Sequence, residues 1–231
     1  MAHFKNPVQI TRRPKAELVT IGTELLTGSV LNSNAHFLSG ELTQLGFQVT
    51  HQTSCRDEAC SIQHALRLAL VRSDVIFVSG GLGPTPDDIT RGCLAQFFRV
   101  PLVLSRVQYR QIQRHYRQKK RAVPHLVRQE ALFPKNSKPI FNRYGIALGF
   151  VIEERGRLVV VLPGVPGELI RLFRAQIRPL LKRKFPGLRP QSSLIVKTVG
   201  LSEPTIMKRL GRSFFGTGPF EFGIYPDVGE V

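Results

Sequence analysis

Residues 74–88 read Asp-Val-Ile-Phe-Val-Ser-Gly-Gly-Leu-Gly-Pro-Thr-Pro-Asp-Asp. The apolar run 74–79 has the composition of a buried strand. Gly80, Gly81, Leu82 and Gly83 break it as a turn. Ile89, Cys93, Leu94 and Phe97 then recur at helical spacing. Thr85 is placed to cap that helix, Pro86 suits its first position, and Asp88 stands where a capping box wants an acid. Free N–H groups at such a turn attract phosphate. The neighbouring carboxylates of Asp87 and Asp88 would repel one. A divalent cation bridging acid and phosphate removes the conflict, which points to a metal-assisted site for a phosphorylated ligand. The same letters also suit a plain tight turn with a charged cap. No lysine follows the glycines, so this is not a P-loop, and the third glycine of the dinucleotide fingerprint is missing.

Upstream, residues 16–21 (AELVTI) read as a first strand, and Gly22-Thr23-Glu24-Leu25-Leu26-Thr27-Gly28 as a loop. Ala35, Leu38, Leu42 and Leu45 mark a helix that Gly46 ends. Residues 47–53 form a second strand, Asp57 lies in the next loop, and Ile62, Ala65, Leu66, Ala69 and Leu70 mark another helix. The order β-α-β-α-β-α predicts a parallel sheet with helices on both faces and right-handed crossovers. Ligands of such sheets bind beyond the carboxyl ends of the strands. Glu24, Asp57, Asp87 and Asp88 all follow predicted strands, as acids of a metal-bearing cleft would, although loops are polar in any case.

Downstream, residues 158–162 (LVVVL) form a strand that runs into Pro163-Gly164-Val165-Pro166-Gly167-Glu168. Leu169, Leu172, Phe173, Ile177, Leu180 and Leu181 predict one helix after it. This second glycine turn can hold another part of the same ligand, or be a connection stiffened by prolines. A linker rich in Pro, Gly and Ser spans 186–193. Residues 194–199 read as a strand, 203–210 as a short helix and 220–225 as a strand.

The 231 residues are 42% hydrophobic, enough for a real core, and carry a formal net charge of +17 with a pI near 10.7. That balance favours anionic partners, or reflects a generally arginine-rich surface. The basic residues concentrate between 105 and 143, where Glu130 is the only acid. Arg106, Arg110, Arg114 and Arg117 line one face of a predicted helix, and Tyr109, Ile112 and Tyr116 another. A solvated helix face, a rim that steers substrate and a nucleic-acid surface all fit this pattern. The three cysteines have neither disulfide framework nor zinc spacing, which fits a reducing cytoplasm. No run of about 18 apolar residues predicts a membrane span, and residues 1–15, a basic polar tail, lack the apolar stretch of a secretory signal.

Four motifs, in order, resemble the N-terminal part of the CinA family (competence/damage-inducible protein A). They are Gly22–Leu26 with Gly28 and Asn32-Ser33-Asn34; Gly80–Asp88 with Thr90 and Arg91; Gln129-Glu130-Ala131 with Pro134; and Pro163–Glu168. That part of the family is related to the molybdopterin-binding MoaB/MogA proteins. The resemblance implies a three-layer α/β/α domain with a mostly parallel sheet over 16–186. It also implies a partial, KH-like α+β module over 193–231, and a homodimer. The implied activity is ADP-ribose pyrophosphatase, the metal-dependent cleavage of a nucleotide diphosphate to AMP and ribose 5-phosphate. The family's deamidase activity belongs to a C-terminal domain and is not carried over.

On this reading Asp57, Asp88 and Glu24 are the catalytic candidates. Asp87 and Asp88 hold the divalent metal (Mg, Co or Mn). Gly22, Thr23, Asn34, Gly80, Gly81, Leu82, Gly83, Thr85, Gly145, Pro163, Gly164 and Gly167 contact the substrate. Two departures matter. Many family members read Gly-Thr-Ala-Pro-Gly where this chain has Gly145-Ile146-Ala147-Leu148-Gly149. Loss of the Thr hydroxyl removes a phosphate donor, and loss of the Pro ring frees a loop. The chain also ends at residues 225–231, where the family pattern continues with further strands. A binding module for a pterin-like or nucleotide ligand without turnover is the alternative, and a nucleic-acid-associated basic protein the second alternative.

Overall fold

The computed structural model describes residues 12–191, 194, 196–211, 214 and 222–224. The chain divides into two compact units, 1–191 and 192–231.

The first unit is a six-stranded sheet between two layers of helices. Its strands are β1 (Lys15–Ile21), β2 (Gln48–Cys55), β3 (Val75–Ser79), β6 (Lys138–Ile140), β7 (Gly149–Glu154) and β8 (Arg157–Leu162), in the order β2-β1-β3-β8-β7-β6. A separate antiparallel pair joins β4 (Leu102–Leu104) to β5 (Leu132–Pro134). β2, β1, β3 and β8 run parallel. β7 returns antiparallel to β8, and β6 antiparallel to β7. The parallel core is as the β-α-β order predicts. The antiparallel extension was not foreseen.

Alternate residues of the strands point to opposite faces. On one face Ala16, Leu18, Val75, Phe77, Leu158 and Val160 pack against α2 (Ser33–Leu45) and against the helical run 166–184. On the other, Val19, Ile21, Ile76, Val78, Val159 and Val161 pack against α3 (Ala59–Arg72) and α4 (Thr90–Phe97). Gly46 ends α2 in the left-handed region at φ 100, where a Cβ would lie 2.3 Å from the Arg189 carbonyl oxygen. That close approach brings residues 186–191 back onto the first unit, with Leu188 packed on its core. The predicted linker therefore begins as part of this unit.

The run 166–184 is not one regular helix. α6 (Pro166–Leu172) passes into a π-helical turn at 173–177 and then into α7 (Arg178–Lys184). Pro179 has no N–H for the carbonyl four residues back, and a π-turn absorbs the mismatch.

α5 (Arg106–Gln118) caps on the Ser105 hydroxyl and buries Gln108 and Ile112. Ile112 packs with Val127 and Ala131 of a 3-10 segment at 125–131. A short α1 (Thr23–Leu26) occupies what was read as loop.

In the second unit the predicted helix forms as α8 (Glu203–Leu210). Leu194 and 196–199, read as a strand, have no regular structure. Of the strand read at 220–225, Phe220, Glu221 and Tyr225 lie outside the described residues, as do 1–11 of the basic tail. Among the described residues no helix is long and apolar enough to cross a membrane.

Candidate functional site

The two glycine turns meet at the carboxyl rim of β3 and β8. Gly80 adopts φ 108, and a Cβ there would lie 2.0 Å from the Ile21 carbonyl oxygen. A Cβ on Gly164 would lie 3.3 Å from Gly80 Cα, a tight contact that the bare glycine avoids where the two turns approach one another. Asn34, from α2, ties them together: its Nδ2 donates to Ser79 Oγ at 3.2 Å and to the Gly164 carbonyl at 2.7 Å. The Ser79 hydroxyl in turn donates to the Pro163 carbonyl.

Past the turn, the helix does not begin where the sequence suggests. Thr85 does not cap α4, which starts at Thr90 behind Ile89. Asp88 instead closes a separate turn, accepting from the Thr85 N–H at 2.9 Å and from the Thr85 hydroxyl, while its own N–H donates to the Thr85 carbonyl. The Pro84 and Pro86 rings pinch the chain into this turn and leave no N–H groups to extend a helix through it. The Asp88 carboxylate lies over Gly83, where a Cβ would sit 2.5 Å from Oδ2. Asp87 is exposed, and the nearby Thr85 hydroxyl holds its carboxyl below the usual range.

Asp57 repeats the device on the neighbouring loop, its Oδ2 accepting from the Thr23 N–H at 2.8 Å and the Thr23 hydroxyl at 3.0 Å. Glu24 folds back over Gly22. Among the described residues no three His, Cys, Asp or Glu side chains converge as a metal group. The four-acid cleft expected from the sequence is therefore not one coordination sphere. β2 and β3 flank β1, so Asp57 and Asp88 leave the sheet two strands apart, about 10 Å at 4.8 Å per strand. Asp87 and Asp88 still suit a hard cation that keeps most of its water and takes further oxygens from a phosphorylated ligand.

The acids close to Asp88 are others. Glu130 is 2% exposed, and burial pushes its carboxyl up to about 7; Arg91 opposes the shift, and Asp88 and Glu168 add to it. Arg91, buried under the turn, donates to the Leu82 carbonyl at 2.7 Å, and burial lowers its guanidinium to about 10 against the charges of Glu130 and Asp88. Glu168, in the first turn of α6, accepts from Asn142 Nδ2. Its carboxylate fills the space above Gly145, where a Cβ would lie 2.1 Å from Cδ. Asn142 is fully buried; its Oδ1 accepts from the N–H groups of Tyr144 and Gly145. Gln108 of α5 holds the same loop through the Asn142 N–H and the Ile146 carbonyl.

Arg91, Glu130, Asn142 and Glu168 thus join the candidate site, absent from the sequence-based set. Arg91, Glu130 and Glu168 stood inside the quoted motifs; Asn142 had no signal. Four buried polar atoms here lack a partner among the described residues: Asn34 Oδ1, Thr90 Oγ1, Arg91 Nε and Glu130 Oε1. Ile146 and Leu148 turn inward: Leu148 is fully buried and Ile146 packs beside Ile112 and Val127. A cavity of about 290 Å³ lies elsewhere, between β2 and α3, lined by Leu26, Ser54, Arg56, His64 and Leu68 among others.

Residues 17–183 match the family model described as "Probable molybdopterin binding domain". The chain is 33% identical over 216 residues to a competence-damage inducible protein of Caldicellulosiruptor saccharolyticus, covering 94% of this chain and 52% of the relative. With the Bacillus subtilis protein of the same description it shares 35% over 189 residues, covering 82% and 45%. The chain thus spans about half the length of the curated relatives it matches. Among solved structures it superposes on CinA from Thermoplasma acidophilum, a protein of unknown function, with a TM-score of 0.66 and 32% identity, covering 73% of this chain and 98% of that one. The chain belongs to the CinA family, built on its MoaB/MogA-like molybdopterin-binding domain.

Proposed function

We propose that the rim formed by Gly80–Asp88 and Pro163–Gly167 binds the phosphates of a nucleotide diphosphate or a pterin-like phosphorylated molecule, and that the reaction is metal-dependent hydrolysis of a substrate such as ADP-ribose to AMP and ribose 5-phosphate. The observation that carries this reading is the closure of Gly164 on Gly80 under the Asn34 bridge, beside buried polar atoms left without partners. Two glycine turns that meet at one sheet rim supply backbone N–H groups of the kind that bind an anion.

Asp87 and Asp88 hold a Mg, Co or Mn ion, which supplies a neutralising charge at the phosphoanhydride and a more acidic water. The N–H groups of Gly81–Gly83 and of Gly164–Gly167 orient phosphate oxygens. Arg91 adds a buried positive charge beneath the turn. Glu130, with a carboxyl pushed up to about 7, holds or releases a proton near neutral pH. Asp57 positions Thr23 and, with Glu24, lines the neighbouring loop. The working unit is a homodimer.

The test is to incubate purified protein with ADP-ribose and cobalt or magnesium and to follow AMP by chromatography. AMP that appears with the parent and is lost in Asp88→Ala supports the reading. Ligand binding without AMP leads to the second reading, a non-catalytic pterin- or nucleotide-binding module. That reading is favoured by Ile146, an apolar side chain packed beside Ile112 and Val127 where many family members carry a Thr hydroxyl.

A further inference from the structure

The outer face of α5 has a composition that works against its own helix. Arg106, Arg110, Arg114 and Arg117 are exposed and lie three or four residues apart, so like charges neighbour one another along the face. Arg106 stands in the first turn, where the positive end of the helix dipole repels a cation, and no acid offsets it there. No Asp or Glu occurs anywhere from Ile89 to Gln129. None of the four arginines forms an ion pair among the described residues. Lys119, Lys120 and Arg121 continue the charge past the helix end, and all three are exposed.

The helix is held from its other side. Ser105 caps it, Ile112 sits in a small core with Val127 and Ala131, and Gln108 bonds to the 142–146 loop. With the inner side anchored, the repulsion on the outer face persists until an external anion relieves it. A membrane is a poor candidate for that anion. Interfacial helices insert an apolar face, and the apolar residues of this helix, apart from Val107, are turned into the protein.

The arginines climb the helix in steps of about 6, 6 and 4.5 Å, from 1.5 Å per residue. That is close to the reach between successive phosphates of a single strand, whose flexible backbone can follow a straight row of charges as a rigid duplex cannot. From this complementarity of charge and spacing we infer that the Arg106–Arg110–Arg114–Arg117 face binds the phosphate backbone of single-stranded nucleic acid, without reading its bases. Among the described residues none of the four arginines bonds to a residue of the rim that holds Asp88, so the inference stands whichever ligand that rim takes.

The experiment is fluorescence anisotropy with a short labelled oligouridylate, titrated at several salt concentrations. Four phosphate contacts at about −0.7 each give a slope of log Kobs against log salt near −3. Replacing the four arginines together (R106Q, R110Q, R114Q, R117Q) is expected to weaken binding at least ~tenfold and to flatten the slope. The variant should melt no lower than the parent, because it loses repulsion rather than contacts. A control removing the same charge elsewhere (R67Q, R99Q, R155Q, R183Q) should retain most of the affinity, and D88A should bind as the parent does. Equal loss in both quadruple variants overturns the inference, as does a slope near zero. Capture of the protein by phosphatidylserine vesicles without binding to the oligonucleotide overturns it as well.

Discussion

Asp88 accepts hydrogen bonds from both the amide and the hydroxyl of Thr85, and Asp57 does the same for Thr23 on the adjacent loop. In each case one carboxylate oxygen carries both bonds and the other remains for a ligand or cation. Asp88→Asn keeps an acceptor for Thr85 but removes the charge. We expect it to change unfolding free energy by no more than about 1 kcal/mol. Calorimetry with ADP-ribose and magnesium should show at least ~tenfold weaker binding, since a neutral amide ligates a hard cation poorly. Unchanged affinity would remove Asp88 from the site.

Gly80 and Gly145 look alike as sequence letters but predict different outcomes. Alanine at Gly80 meets a backbone carbonyl at 2.0 Å and a φ of 108, neither of which can give way. Gly80→Ala should destabilise by about 2–4 kcal/mol, seen as a lower denaturation midpoint. Alanine at Gly145 meets first the end of the Glu168 side chain, which can swing aside. Gly145→Ala should therefore stay folded while freeing Glu168 from Asn142, with the loss read in ligand affinity.

Glu130 carries a pH signature. Its carboxyl titrates at about 7 in the fold against 4.5 in an unfolded chain, so the folded state holds the proton more tightly. Its contribution to stability is complete below about pH 4.5 and is lost as pH rises through 7, in total about 3 kcal/mol. Glu130→Gln mimics the protonated form. Above pH 7 the variant should melt higher than the parent, and near pH 4 the two should converge. Parallel melting curves across that range would contradict the buried placement of this acid.

Asn34 bridges Ser79 and Gly164 through its amide N–H groups. Asn34→Ala loses the bridge, at about 1–2 kcal/mol. Asn34→Asp should be worse than alanine at pH 8, because a carboxylate would face the Gly164 carbonyl oxygen without a donor between them. Chemical denaturation of the two variants side by side checks the order.

The parallel core was legible because β1, β3 and β8 are short apolar runs ending in glycine, and α2 and α3 show clean helical spacing. The antiparallel β6 and β7 were not. Lys138–Ile140 is too short and too polar to signal a strand, and β7 is recruited by pairing with β8. The expected cap at Thr85 misled for a local reason. Asp88 accepts from the Thr85 N–H as a capping box requires, yet its own N–H donates to the Thr85 carbonyl instead of the hydroxyl, and two flanking prolines confine the bonds to a single turn. At the site, the glycine turns and Asn34 could be read from motifs. The grouping of Glu130 and Glu168 around Asp88 and Arg91 could not, since it arises only when residues from three segments fold onto one rim.

β7 and β8 are joined by Arg155 and Gly156, both with positive φ, in a two-residue reversal that faces open space at Gly156. Because β8 runs from this bend to the rim, the bend lies about 17 Å away from the two glycine turns, five steps of 3.3 Å. A fluorophore, tag or surface tether grafted at Arg155 would thus report on or immobilise the molecule while leaving the ligand entrance clear.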